Sequence, residues 1–224
     1  MIETKGLTRT FTTGSVVTPV LKGIDFKAGD HEFIAIMGRS GAGKSTFLYQ
    51  LSLLDDPTLG EVIIDGENTH EMSSLEKMDF RLAKFGFVFQ DYALLPELTA
   101  LENVALPLLM AGYSKAESYK KGAAALERAG LGTRINNLPS QLSGGEQQRV
   151  SIVRAVAHDP EILFADEPTA NLDNDSAKLI MEIFAELHKG GQTIIMVTHE
   201  EQYAKRAERI IRIDDGKIVS EEKN

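Results

Sequence analysis

Cysteine is missing from the chain altogether. No disulfide framework is available, and a reducing compartment is compatible with the fold. Long apolar runs are missing too. The longest, Val104 to Ala111, is broken by Pro107 and falls short of the ~18 residues that cross a bilayer. The opening MIETKGLTRT holds no apolar stretch of the secretory kind, which predicts no signal peptide; action at a membrane would need another anchor. Positive charge is in deficit, with 24 Lys and Arg against 33 Asp and Glu and a formal net charge of -9. A nucleic-acid partner normally requires a basic face, so none is expected. A phosphate-bearing ligand is not excluded, because phosphate sites are local and built largely from backbone N–H groups. Neither an internal repeat nor a low-complexity linker interrupts the 224 residues. That length suits one large domain or a core with an inserted subdomain.

Short β-rich apolar runs recur at Phe33–Met37, Val62–Ile64, Phe85–Phe89, Ile162–Ala165, Thr193–Val197 and Ile210–Ile213, the pattern of buried strands. Helical patterns lie between several of them. Asn174 to Lys189 carries Ile180, Ile183, Phe184 and Leu187 at helical spacing, and Gly190-Gly191 stops it. This alternation predicts an α/β fold with a mostly parallel sheet. The region up to about Phe26 reads as short antiparallel strands. From Asp91 to Val156 the alternation fails. Ser114 with Glu117 forms a capping-box pattern, Ala116, Tyr119, Ala123 and Leu126 follow at helical spacing, and Gly130 ends the run. We expect one domain over 1–224, with a helical subdomain at 91–156 inserted between core segments 1–90 and 157–224.

Three motifs carry chemistry. Gly38-Arg39-Ser40-Gly41-Ala42-Gly43-Lys44-Ser45-Thr46 fits the P-loop pattern, with a strand leading in and a helix-compatible run, Ser45 to Leu54, leading out. Its glycines let the backbone wrap phosphates, and N–H groups at the helix start face the negative charge. Lys44 would reach the β- and γ-phosphates and the Ser45 hydroxyl would bind Mg²⁺. A chance glycine-rich turn is the competing reading, and the flanking strand and helix count against it. In Ile162-Leu163-Phe164-Ala165-Asp166-Glu167, a buried strand ends in two carboxylates. Asp166 suits a metal, usually through water, and Glu167 suits an attacking water as its base. Taken alone, this segment could equally be a strand ending in a solvated acidic turn. Leu142-Ser143-Gly144-Gly145-Glu146-Gln147, before a helix-compatible stretch, is a second anion-binding helix start. Together these predict an enzyme that binds ATP with Mg²⁺ and hydrolyses it.

The order of the P-loop, LSGGEQ, ILFADE and then Asn171-Leu172-Asp173 resembles the ATP-binding cassette (ABC) ATPases over essentially the whole chain. The resemblance implies a head-to-tail homodimer formed on ATP. Ser143, Gly144, Gly145 and the adjoining Glu146 would serve the nucleotide on the P-loop of the other copy. It further implies that Gln90 joins Ser45 and Asp166 around the metal, that His199 contacts the γ-phosphate and helps hold the attacking water, and that Asp173 lies at the dimer seam. Phe11 matches the position where the family stacks an aromatic ring on adenine; a buried strand residue is its alternative reading. Arg39 and Asn171 stand where smaller residues are common. His31, His70, His158 and His188 are read as surface or incidental.

The stretch from Phe85 through Leu94-Leu95-Pro96 to Val104 is similar to the branch containing lipoprotein-releasing, macrolide-efflux and cell-division ATPases. That similarity implies a separate transmembrane permease as partner, docked along Leu94 to Met110. Membrane contact would come only through that permease, at the inner face of the cytoplasmic membrane. The expected function is a motor for export or extraction of lipoprotein, peptide or drug. The alternative is a transmembrane signalling switch that transports nothing.

Overall fold

Elements follow one another in the computed structural model, which describes residues 1–224, as strands first and then strands alternating with helices. The first half contains β1 (Ile2–Thr13), β2 (Val16–Ala28), β3 (Phe33–Met37), α1 (Lys44–Leu51), β4 (Leu59–Ile64), β5 (Glu67–Asn68), α2 (Ser74–Lys84), β6 (Phe85–Val88) and α3 (Ala100–Met110). The second contains α4 (Lys115–Arg128), α5 (Gly144–Val156), β7 (Ile162–Asp166), α6 (Asn174–Lys189), β8 (Thr193–Val197), α7 (Glu201–Ala204), β9 (Arg209–Asp214) and β10 (Lys217–Lys223). The residues cluster into two units, 1–81 with 191–224 and 82–190.

In the first unit, β1 and β2 form a long antiparallel hairpin, and β4 and β5 extend it to the order β2-β1-β4-β5. A second set of strands centres on β3, which lies parallel to both β8 and β9, while β10 returns antiparallel to β9. All five residues of β3 and of β8 are buried, as expected of parallel strands covered on both faces. The helix α1 is fixed by Phe47, Leu48 and Leu51, each fully buried. Each contributes about 1.5–3 kcal/mol of burial, and the Phe47 ring meets Phe26 edge-on at 5.3 Å.

In the second unit, β6 and β7 pair in parallel. Segment 91–156 contains helices and no strand. Capping boxes start α3 at Thr99, α4 at Ser114 and α5 at Ser143. The apolar cluster of these helices includes Val104, Leu126, Leu131 and Val150, all fully buried. Val104 to Ala111, read in sequence as a broken apolar run, belongs mostly to α3, which continues through Pro107. The strand expected at Phe85–Phe89 stops at Val88, and the helix expected over Ser45–Leu54 spans Lys44–Leu51. The strand β10 and the helix α2 had no counterpart in the sequence reading. No helix is long and apolar enough to cross a membrane.

Candidate functional site

The P-loop joins β3 to α1 in the first unit. Gly38 passes so close to β9 that a Cβ there would lie 2.1 Å from the Ile213 carbonyl oxygen, so only glycine fits. Gly43 is the N-cap of α1 in the left-handed region at φ 100°, and no side chain caps that helix. The Gly43 carbonyl accepts Phe47 N–H at 2.8 Å, which closes the first turn of the helix. Lys44 is buried, and its Nζ donates to the Arg39 carbonyl at 3.1 Å. The lysine is thus held by its own loop, close to the N–H groups an anion would use. The side chains of Ser45 and Thr46 lie partly buried in the first turn, while Arg39, Ser40 and Gly41 are exposed.

His199 follows β8. Ile36 of β3 is paired with Val197 of β8, so Gly38 and His199 each leave the carboxyl end of adjacent parallel strands two residues beyond that pair. Thr198 N–H donates to Ile36 O at 3.1 Å, and the Thr198 hydroxyl accepts from Glu200 N–H at 3.1 Å, fixing the turn that carries the histidine. Ligands of α/β folds bind beyond the carboxyl ends of such strands. Phe11, 42% exposed, is not the core residue of its alternative reading. It faces Thr18 across the hairpin. Val20, two residues further along β2, abuts Gly43: a Cβ on that glycine would meet the Val20 oxygen at 3.1 Å. The hairpin that carries Phe11 therefore runs beside the P-loop.

The second unit repeats the arrangement. Val88 of β6 pairs with Ala165 of β7, so Gln90 and Glu167 again leave adjacent parallel strands two residues past a paired position. Asp166 is buried and ends β7. Glu167 adopts φ 45°, a left-handed conformation that costs a non-glycine residue of order 1 kcal/mol and clusters at functional sites. Tyr92 and Ala93, after Gln90, share that region at φ 65° and 47°. Arg154 from α5 donates to both of their carbonyls, at 3.0 and 2.6 Å, and burial lowers its pKa. Asn103, fully buried, donates to the Leu95, Leu98 and Thr99 carbonyls and accepts Leu95 N–H.

At the start of α5, the Ser143 hydroxyl accepts Glu146 N–H at 3.3 Å and the Glu146 carboxylate accepts Ser143 N–H at 2.8 Å. The Ser143 N–H and then the paired Arg134 guanidinium hold Glu146 below the usual carboxylate range. Asp173 caps α6, accepting from Asp175 N–H, Ser176 N–H and the Ser176 hydroxyl. Its pKa is lowered first by the Ser176 N–H. Gly145 packs against Ser176: a Cβ there would lie 2.8 Å from the Ser176 hydroxyl. Asn171 donates to the Gln90 carbonyl at 3.0 Å. Within this unit the structure therefore brings the start of α5, the Asp173 turn and the Gln90 loop together.

Sequence reasoning noted Asn171 only as an unusual residue and did not see the bond to Gln90. It also missed Arg154, whose only signal was a charge close to the apolar stripe of a helix. His158, read as surface or incidental, is half-buried with Nε2 on the Phe85 carbonyl, and desolvation lowers its pKa.

A glycine-rich turn running from a buried parallel strand into an uncapped helix start defines a P-loop nucleotide-binding fold. The chain belongs to the ABC transporter family, whose family model matches residues 21–170, and it is an ATPase of that family. It is 49% identical over 219 residues to an uncharacterized ABC transporter ATP-binding protein, MJ1508, of Methanocaldococcus jannaschii, covering 98% of each chain. It is 48% identical over 202 residues to the lipoprotein-releasing system ATP-binding protein LolD of Aquifex aeolicus, covering 90% of each. Among solved structures it is similar to the dimeric post-hydrolysis state of the ATP-binding cassette MJ0796 bound to ADP and Pi. That similarity has a TM-score of 0.94 and 42% identity, with 100% of this chain and 98% of the other covered.

Proposed function

We propose that this chain drives a separate transmembrane permease, closing as an ATP-bound homodimer to export or extract a lipoprotein, peptide or drug. The observation that carries this reading is the presence in one chain of two glycine-rich helix starts of opposite kind, Gly43 without a side-chain cap and Ser143 with one. A symmetric pair of copies lets both serve one nucleotide. Similarity to a lipoprotein-releasing subunit supports the cargo class, and the absence of a membrane-crossing helix fits a partner that supplies the membrane path. The chain would then act at the inner face of the cytoplasmic membrane.

In this reading Lys44 and the P-loop amides hold the β- and γ-phosphates, and Phe11 stacks on adenine. Glu167 accepts the proton of the attacking water while His199 orients that water. Ser143, Gly144 and Gly145 of the second copy meet the γ-phosphate, with Glu146 fixing their helix start and Asp173 at the seam. The donors suit Mg²⁺: the Ser45 hydroxyl, the Gln90 amide oxygen and the Asp166 carboxylate are hard oxygen ligands. No cluster of three His, Cys, Asp or Glu builds a protein cage, and Mg²⁺ is commonly held by a few protein oxygens plus substrate phosphates. When bound, the ion neutralises charge developing on the phosphates.

The test is reconstitution in vesicles with the membrane protein that co-purifies with this chain. ATP-dependent release of a lipoprotein, peptide or drug supports a transport motor. ATP turnover with no cargo moved would replace it with a signalling switch.

A further inference from the structure

The Arg9 guanidinium lies over the Phe11 ring, 4.5 Å from its centroid. Both residues belong to β1 and, two apart, share one face of the strand. The arginine is itself fixed. Its NH2 group donates to Asp55 Oδ1 at 2.7 Å, and the other oxygen of that carboxylate accepts from Gln50 Nε2 at 2.9 Å. Gln50 is fully buried in α1, the helix that begins at Lys44. The strand is held on either side of Arg9 as well. Thr58 N–H donates to the Thr8 carbonyl and the Thr58 hydroxyl accepts Thr10 N–H, each at 2.9 Å. A continuous line of polar contacts therefore runs from the phosphate-binding helix through Gln50, Asp55 and Arg9 to the aromatic ring. The pairing of Phe11 with Thr18 and the packing of Val20 on Gly43 join the hairpin that carries the ring to the P-loop a second way.

We propose that Arg9 is a positioning residue for the nucleotide base: it covers one face of Phe11 and presents the other for stacking. The proposal rests on Phe11 being the base platform. An exposed aromatic side chain with no support would have to be immobilised when the base binds. Immobilising such a side chain weakens binding by about 2- to 10-fold. The cation–π contact with Arg9, held in place by Asp55, fixes the ring beforehand. The same line of contacts sets the distance between the ring and the phosphate-binding helix, and so selects a ligand with a planar base at one end and phosphates at the other.

The experiment compares ATP with inorganic tripolyphosphate, which has phosphates and no base, by calorimetry on the full chain. Arg9→Ala should weaken ATP by about 2- to 10-fold and leave tripolyphosphate unchanged, and Arg9→Lys should recover part of the loss. In a Phe11→Ala background, Arg9→Ala should add nothing further, as expected of two residues acting through one contact. Equal loss of ATP and tripolyphosphate in Arg9→Ala would overturn the proposal, because Arg9 would then support the P-loop. Loss of ATP affinity in Phe11→Ala but not in Arg9→Ala would overturn it while leaving the platform standing. Unchanged ATP affinity in Phe11→Ala would remove the platform, and the proposal with it.

Discussion

Two helices in this chain begin with glycine-rich sequence, and they begin differently. The start of α1 is a left-handed glycine with no side-chain cap. The start of α5 is closed by its own side chains: Ser143 and Glu146 exchange bonds, and a carboxylate held in its ionised form sits among the amides. Both sequences look like phosphate binders. Only the first is shaped to hold an anion unaided. The second pairs its dipole with an internal negative charge, which suits a surface that meets a phosphate already neutralised elsewhere. In the proposed function, one start captures the nucleotide and the other completes its site.

The largest effect should fall on neither start. Glu167→Gln should lower turnover by about 10²- to 10⁴-fold, the usual weight of a general base, with ATP affinity retained in a binding titration. Near-normal turnover would remove Glu167 from that role. Next comes the open start: Lys44→Ala should weaken ATP binding to the isolated chain by about 10- to 100-fold, as expected for loss of a charged hydrogen-bond donor. The closed start should respond differently. Ser143→Ala should leave ATP affinity of the isolated chain unchanged and lower thermal stability by about 1 kcal/mol through loss of the cap. A matching loss of ATP affinity in both variants would erase the distinction between them.

The smallest effect is pH-dependent. The folded pKa of Glu146 is depressed, so its stabilising contribution is complete above the ordinary value near 4.5 and fades as pH falls through the depressed one. Glutamine can also close a capping box but does not titrate. Denaturation of Glu146→Gln and the parent chain should therefore differ by under about 1 kcal/mol near neutrality, given an exposed ion pair with Arg134. That difference should shrink in acid.

Much of the fold could be read in advance because its strands are short, apolar and separated by helical periodicity. Thr193–Val197 and Asn174–Lys189 have the bounds that their side chains predicted. The glycine and carboxylate motifs stood out because their chemistry requires fixed spacing. Other parts were hidden for physical reasons. The helix α2 buries no residue, and β10 is an edge strand that is mostly exposed, so neither shows a long apolar run. The bond from Asn171 to the Gln90 carbonyl and the hold of Arg154 on Tyr92 and Ala93 join residues about 60 to 80 positions apart. Local pattern carries no trace of them. Arg9 was equally silent: on a strand it reads as an ordinary exposed cation until Phe11 and Asp55 are seen on either side of it.

The account turns on the closed start of one copy completing the nucleotide captured by the open start of another. Light scattering of Glu167→Gln, with saturating Mg²⁺-free ATP and without nucleotide, tests this most directly. The chain should shift from its monomer mass of 24.6 kDa to twice that value when ATP is added. A mass that stays at the monomer value while a parallel titration shows ATP bound would contradict it.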